Sequence, residues 1–463
     1  MAKPLIARDP ADGLSPRERM AEALRRSHAV PIEKALVGWG LMNILIIIVQ
    51  MFLSPMGFYV GVNIGNLNKY FMFSLALWIA VSLVRNAAPL RIPGAMLFLV
   101  AVQLWFTVST VVSQVQLGKS VQFIAPDYSL MAFFLCFLQS SMLSHMFPQV
   151  RVLMKRFMVG LCVVSAFAAM SQFLGFQPAI MFSSLMVGVE SIENWAGQGG
   201  IRALGILPGI GLQITYGLFA VIFIACALFE RKLTKLEIAG IVLLIGVMLM
   251  AQIRNGLVLM AIILIPLIVL FAKRHKREAI PYIGIAIAVF ALLIFTGGER
   301  FSYMFSGDLS TFDYRREVLW PQAWSIYEQR PWFGIGVEPD FAGFNTYIRS
   351  RWSDGLVMDN GYLVALAYGG LPAVTFLALA VLAGLRGAIV LMLRKDAPAL
   401  ERGYAIAAFA VGLYLGYGMF FGNSITNISL GMLYFIVAGM AMPSRPETKA
   451  RLGDRTEARA DAG

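Results

Sequence analysis

Long apolar runs recur along the whole chain and are separated by short polar or charged connections. The runs lack the polar–apolar alternation of a barrel strand, and most approach the roughly 20 residues that a membrane-spanning helix needs. The pattern therefore predicts an all-α polytopic membrane protein with about 12 transmembrane helices. The predicted spans are 36–54, 70–84, 93–113, 126–144, 157–175, 206–229, 237–252, 256–272, 280–297, 366–391, 403–422 and 425–442.

Two places interrupt this pattern. Arg254 separates the spans 237–252 and 256–272, which would otherwise form one long apolar run. The run from Asn360 to Leu393 is longer than one crossing needs, and the pair Gly369 and Gly370 is predicted to mark where it enters the membrane.

The composition indicates that the bilayer is the main solvent of the chain. Apolar residues make up 59% of the 463 positions, charged residues make up 14%, and the mean hydropathy is +0.73. These values exclude a water-soluble globular protein. Cys136, Cys162 and Cys226 all lie inside apolar runs without paired spacing, so we expect small core residues and neither a disulfide framework nor a zinc site.

The charged connections predict the orientation. Basic clusters, among them Arg151 with Arg156 and the run at 273–277, are cytoplasmic by the positive-inside rule. The net charge of +12 then reflects orientation, and nucleic acid is not needed to explain it. The predicted order is a basic cytoplasmic tail (1–35), spans one to nine (36–297), a long non-cytoplasmic loop (298–358), spans ten to twelve (359–442) and a disordered cytoplasmic tail (443–463).

A few polar residues on the non-cytoplasmic side could carry chemistry. An arginine binds phosphate through a rigid fork of donors, so several at one membrane interface could hold a diphosphate. A single arginine at a helix end is more often an anchor at the lipid headgroups, but Arg254 lies in a very short turn where such a charge is costly. The candidates are Arg202, Arg254, Arg315, Arg316, Asp359 and Asn360.

Asp359 has two interpretations, which the residues alone leave open. It could be a general base, or it could serve the N-terminus of the following helix as a cap or favourable charge. The stretch GIGVEP at 334–339 lacks the glycine spacing and the strand–helix context of a nucleotide-binding fingerprint, and we predict a turn there.

Four sequence segments resemble the O-antigen ligase and O-antigen polymerase superfamily. They are IRALGILPGIG at 201–211, MAQIRNG at 250–256, RREVLWPQAW at 315–324 with RPWFGIGVEPDF at 330–341, and DNGYLVALAYGGLPAV at 359–374. The resemblance implies a GT-C-like multispan fold with a long periplasmic loop, and undecaprenyl-diphosphate-linked glycans as donors. It also implies that no nucleotide sugar and no essential metal or other cofactor is used.

The resemblance assigns roles to individual residues. It implies that Arg202, Arg254 and Arg316 hold the lipid diphosphate, which is the leaving group, with Arg315 and Arg300 as helpers. Ligases of this superfamily typically carry a histidine before the asparagine of the last segment, and here Asp359 precedes Asn360. His28, His145 and His275 all fall on the predicted cytoplasmic side, so the resemblance favours the polymerases, with Asp359 as base and Asn360 positioning the acceptor.

The sequence thus predicts a metal-independent glycosyltransferase of the bacterial inner membrane that acts at the periplasmic face. It would polymerise an undecaprenyl-diphosphate-linked oligosaccharide in O-antigen or exopolysaccharide biosynthesis, with a flippase and a chain-length regulator as candidate protein partners. Trp320, Trp332 and Trp352 are candidates for stacking on sugar rings, or for anchoring at the interface. The alternatives are a ligase that transfers the glycan to lipid A core or another acceptor, a transporter or flippase for the same lipid, and a scaffold without chemistry.

Overall fold

The computed structural model describes residues 33–48, 64–85, 90–116, 128–187, 205–207, 210–250, 268, 271–273, 275, 280, 284, 287, 313, 316–317, 320–336, 347–350, 353–357, 360–394, 397–420 and 428–443. The predicted spans 256–272 and 280–297 lie almost wholly outside these ranges. So do residues 1–32 of the predicted N-terminal tail, residues 444–463 of the predicted C-terminal tail and much of the predicted loop 298–358.

Helices occur at the other predicted spans. The first, α1, covers residues 33–48. A short 3₁₀ turn, Cys226–Phe229, directly follows the helix Ile210–Ala225. The remaining helices are α2 (Ile64–Val84), α3 (Gly94–Gln116), α4 (Tyr128–Met146), α5 (Gln149–Phe173), α6 (Gln177–Val187), α7 (Ile210–Ala225), α8 (Lys235–Met250), α9 (Trp320–Gln329), α10 (Gly361–Met392), α11 (Ala399–Gly418) and α12 (Ile428–Met440).

The helices have the length and surface of a membrane protein. Within the described ranges, α3, α5 and α10 are long and apolar enough to cross a bilayer, and shorter apolar helices lie at 71–84, 130–146, 213–229 and 431–440. Large apolar side chains also cover outward faces, among them Phe73, Leu104 and Leu382. Such exposure would be costly in water and is expected against lipid.

Two elements of the structure were not predicted from the apolar runs. Helix α6 is too short to form a span and lies in the connection 176–205, which was assigned no helix. Strands β1 (Tyr347–Ser350) and β2 (Ser353–Val357) form an antiparallel hairpin in which Tyr347 is opposite Val357. The hairpin corrects the prediction of a purely α-helical chain, because a pattern of long apolar runs does not detect strands of this length.

The core is organised around α7. Every residue from Leu218 to Cys226 is buried, which is expected of a helix that is apolar on all sides. It packs against α5, α8 and α11. A second group joins α3 to α10, α4 to α12, and α10 to α11. The three cysteines are free and buried, which confirms that they are core residues.

Arg151 is the least exposed of the arginine, lysine, aspartate and glutamate residues that the structure describes. The sequence places it in a basic connection, yet it is only 3% exposed. Its Nε donates to the carbonyl of Met440 at 2.7 Å, and its guanidinium also donates to the carbonyl of Met442 and to Glu401 Oε1. The hydroxyl of Tyr404 donates to the carbonyl of Arg151 at 2.7 Å. Arg151 therefore joins α5, α11 and the C-terminal end of α12, where helix carbonyls lack intrahelical partners.

Candidate active site

Helix α10 is broken at Gly370, whose backbone lies at φ 66° and ψ −164°. Pro372 has no N–H, so the carbonyl of Tyr368 cannot make its ordinary helical hydrogen bond. The break separates a first half that ends at Gly369 from a second half that continues to Met392. Gly369 and Gly370 were predicted to mark where the run enters the membrane, and that boundary stays a prediction, whereas the break in the helix is a finding of the structure.

The segment 330–336, which we call the docking loop, satisfies the backbone groups that the break leaves open. Its sequence, RPWFGIG, lies about forty residues before the break, yet it forms three backbone hydrogen bonds with α10. A broken helix is tolerated inside a membrane protein only where its freed backbone groups find such partners. The bonds run from Ile335 N–H to Ala367 O (2.8 Å), from Gly336 N–H to Tyr368 O (3.0 Å) and from Leu371 N–H to Pro331 O (2.8 Å).

Glycines permit this close approach of two backbones. Gly334 and Gly336 have positive φ, and a Cβ on Gly334 would overlap the backbone of α10. A Cβ on Gly370 would lie 2.5 Å from the carbonyl carbon of Trp332. The spacing of the GIG sequence therefore serves backbone packing, and the predicted turn at GIGVEP is confirmed for its described residues, 334–336.

Helix α3 holds the docking loop from another side. The indole of Trp105 stacks on Phe333 with ring centroids 5.3 Å apart, and its Nε1 donates to the carbonyl of Gly369 at 2.7 Å. The hydroxyl of Ser113 donates to the carbonyl of Ile335. The sequence interpretation did not single out either residue. The signal was present, because α3 carries a row of polar residues that the structure buries: Gln103, Ser109, Thr110, Ser113 and Gln114.

The N-terminus of α10 is fixed to the end of α11. Asn360 is 5% exposed and is the N-cap, since its Oδ1 accepts from the N–H groups of Tyr362 and Leu363 at 3.0 and 3.1 Å. Its Nδ2 donates to the carbonyl of Phe420 at 3.3 Å. Next to it, the N–H of Gly361 donates to the carbonyl of Met419 at 2.7 Å. The structure thus gives Asn360 a capping role, and its role toward the acceptor stays a prediction.

Aromatic and basic side chains are exposed in the docking loop and in the residues that precede it in the sequence. Trp332, in the loop, is 62% exposed, and Trp324, on α9, is 50% exposed and lies 5.0 Å from Tyr327 between ring centroids. Arg316 is exposed on a helical turn four residues before Trp320. Exposed aromatic faces can stack on sugar rings and an exposed guanidinium can bind phosphate, so both groups are available to a ligand.

A turn at Gly205 is anchored by buried polar side chains. The N–H of Gly205 donates to Gln172 Oε1 at 3.0 Å, and Gln172 Nε2 donates back to the carbonyl of Gly205 at 2.8 Å. Ser165 Oγ accepts from the N–H of Ile206 and donates to Gln213 Oε1 at 2.7 Å. The backbone three residues after Arg202 is therefore held by α5 and α7.

The structure describes part of the predicted site. Arg316, Asn360, Trp320 and Trp332 are described, whereas Arg202, Arg254, Arg300, Arg315, Trp352 and Asp359 lie outside the described residues. What the structure does bring together are two of the four segments that carry the resemblance, the docking loop and the first half of α10.

Two of the three histidines are described. His275 is buried, and its Nε2 accepts from the N–H of Leu233 at 3.1 Å while its ring stacks on Phe271. His145 lies in the last turn of α4. His28 lies outside the described residues. The environment of His275 is that of a structural residue between the connection after α7 and the segment at 271–275.

Residues 239–378 match the family model described as O-Antigen ligase, which covers less than a third of the chain. No curated protein matches. The matched range includes the docking loop and the whole break in α10, together with Arg254, Arg316, Asp359 and Asn360.

Proposed function

Because residues 239–378 carry an O-antigen ligase domain and so support membership of an O-antigen ligase/polymerase-like superfamily, we propose that this membrane protein is a glycan polymerase. The match indicates a glycosyltransferase-like enzyme. The observation that carries the proposal is the docking of the loop 330–336 onto the break in α10, since it joins two segments of that domain at one place.

The proposed donor is an undecaprenyl-diphosphate-linked glycan, held by Arg202, Arg254 and Arg316 with help from Arg300 and Arg315. Negative charge grows on the diphosphate as it leaves, and fixed cationic donors stabilise such charge. Two observations support this assignment. Arg316 is exposed, and the Gly205 turn fixes the chain three residues after Arg202.

The proposed reaction joins an acceptor hydroxyl to the anomeric carbon of the donor. Asp359 takes the hydroxyl proton, the acceptor oxygen bonds to the anomeric carbon, and the bond from that carbon to the diphosphate oxygen breaks. Undecaprenyl diphosphate leaves with the electron pair, and no metal is required. Asn360 supports this role for its neighbour, because it fills the N-cap of α10 itself and leaves the aspartate free of that task.

The acceptor is proposed to be another lipid-linked repeat unit, at the periplasmic face of the inner membrane with both termini in the cytoplasm. Asp359 stands where ligases of the superfamily typically have a histidine, and His275, one of the two described histidines, already accepts a backbone N–H. A flippase that delivers the lipid-linked repeat and a chain-length regulator are the protein partners we propose.

A ligase is the second candidate, because the matching family model is described as O-Antigen ligase. The two activities differ in product. Purified protein in liposomes with a lipid-linked repeat unit should yield a ladder of longer lipid-linked glycans if it is a polymerase. Glycan transferred in one step to lipid A core, with no ladder, would contradict the polymerase and favour the ligase.

Arg254→Ala tests the diphosphate site. We expect polymer formation to fall at least about 100-fold, as for loss of a donor to a developing oxyanion, while the protein still accumulates in the membrane. Arg231→Ala is the matched control, because Arg231 forms an exposed ion pair with Glu237 that raises its pKa and is remote from the domain's docking loop in sequence. Polymer ladders of normal length from Arg254→Ala would refute the proposed site.

A further inference from the structure

A long apolar groove runs between α3, α4, α10, α11 and α12. It is only partly enclosed, and its lining is almost wholly apolar. On α10 it extends from Leu377 to Leu391, which at 1.5 Å per residue is roughly 21 Å, a large part of the thickness of a hydrocarbon layer. The groove therefore follows the direction in which a lipid chain would lie.

Small residues leave the space that the groove occupies. Gly384 and Gly387 on α10, Gly412 on α11 and Gly431 on α12 all line it. The hydroxyl of Tyr434 lies only 3.3 and 3.2 Å from where a Cβ on Gly384 or Gly412 would be. Tyr434 is the one lining residue with a polar side chain within the described ranges, so the groove suits a hydrocarbon ligand.

One end of the groove reaches the N-terminus of α10. Met419 lines the groove, and its carbonyl accepts from the N–H of Gly361, the residue after Asn360. In the part of the chain that the structure describes, the lining includes no residue of α5 or α7, which hold the turn after Arg202. The groove is thus continuous with the N-terminus of α10, where Asn360 is proposed to position the acceptor. It is separate from the turn that follows Arg202, a residue proposed to bind the donor.

We propose that this groove binds the polyisoprenyl chain of the lipid-linked acceptor and thereby places the acceptor sugar at the N-terminus of α10. The proposal rests on the proposed polymerase function and gives it a physical reason. An acceptor with such a chain is a lipid-linked repeat unit, whereas an acceptor without a polyisoprenyl chain would leave the groove unused.

Gly387→Leu adds an apolar side chain to the lining of the groove, and the Cβ at this position meets no atom within 4 Å. Gly160→Leu is the matched control, since its Cβ is equally unobstructed and it lies on α5 outside the groove. With an acceptor that carries a full polyisoprenyl chain, Gly387→Leu should raise the KM for the acceptor at least tenfold at a fixed donor concentration. With an acceptor whose chain is shortened to two isoprene units, Gly387→Leu and the wild type should have equal KM values for the acceptor.

The same assay separates the acceptor from the donor. If the polyisoprenyl chain of the donor is shortened instead, the KM for the donor should change by the same factor in the wild type and in Gly387→Leu. If Gly387→Leu affects the long-chain donor and not the long-chain acceptor, the groove holds the donor and the proposal is wrong. Equal KM values for the wild type and Gly387→Leu with every substrate would also overturn the proposal about the groove. If the wild type still makes polymer in that case, the proposed function stands.

Direct labelling decides the matter even if the wild type makes no polymer, an outcome that would refute the proposed function instead. A polyisoprenyl diphosphate with a diazirine near its chain end should crosslink to α10 or α12, and Gly387→Leu should lose most of the labelling. Excess phospholipid should not compete. Competition by phospholipid would show that the groove holds ordinary bilayer lipid. Labelling that Gly387→Leu leaves unchanged would show that the polyisoprenyl chain does not lie in the groove.

Discussion

Two regions of the molecule contain helix carbonyls without helical hydrogen-bond partners, and different groups satisfy them in each region. At the C-terminal end of α12, helix carbonyls are satisfied by one buried side chain, Arg151. At the break in α10, they are satisfied by the backbone of the docking loop and by the indole of Trp105. Both solutions are needed because an unpaired backbone group away from water costs free energy.

The difference predicts how each region responds to mutation. The α12 end depends on one guanidinium, so removing one side chain should disrupt several contacts together. The α10 break depends on three backbone hydrogen bonds, which no side-chain truncation removes, and on one side-chain donor, Trp105, so it should be most sensitive to an added Cβ at a glycine. The second region also lies within the residues that match the O-antigen ligase family model, so we expect its disruption to affect activity as well as stability.

Arg151→Ala should have the largest effect on stability. It removes the ion pair with Glu401 and the side chain that donates to the carbonyls of Met440 and Met442, and breaking a buried ion pair costs about 3–5 kcal/mol. Thermal unfolding of purified protein in micelles measures the loss. Arg156→Ala is the control on the same helix, since Arg156 is exposed. Equal melting temperatures for the two variants would show that the network contributes little.

Gly370→Ala should have an intermediate effect, concentrated on activity. The positive φ disfavours alanine by about 1–3 kcal/mol, and the new Cβ would lie 2.5 Å from the carbonyl of Trp332, so the docking loop must move. We expect a lower melting temperature and loss of most polymer formation. Gly160→Ala, whose Cβ meets nothing within 4 Å, controls for the substitution. Full activity of Gly370→Ala would separate the docking loop from function.

The helices and the break were predictable because their signals are local. The length of an apolar run reports on the bilayer, and the sequence GGLP combines a positive-φ residue with a missing N–H within four positions. The turn at Gly334 followed from the same kind of reasoning. These features need no knowledge of what the segment contacts.

The tertiary contacts were not predictable in this way. A basic residue at a helix end is usually at the surface, and only the surrounding helices make Arg151 buried. Likewise, nothing local says that Ile335 will bond to Ala367. For the site, the structure explains the glycines and Asn360 of the shared segments as packing and capping residues, while Arg254 and Asp359 still rest on the sequence.

Trp105→Phe should have the smallest effect, and it tests whether the break is linked to activity. Phenylalanine can keep the stacking on Phe333 but loses the hydrogen bond to the carbonyl of Gly369, worth about 1 kcal/mol net. Trp39→Phe is a close match, because the Nε1 of Trp39 donates to Ser74 Oγ at 3.0 Å away from the break.

Both tryptophan variants should lower the melting temperature by a similar small amount, about 1 °C, since each loses one partly buried hydrogen bond of about 1 kcal/mol. Only Trp105→Phe should also reduce polymer formation, by less than tenfold, because the Gly369 carbonyl lies at the break itself. Equal polymer yields from the two variants, measured in the same liposomes, would mean that the break is held for stability alone, as the α12 end is.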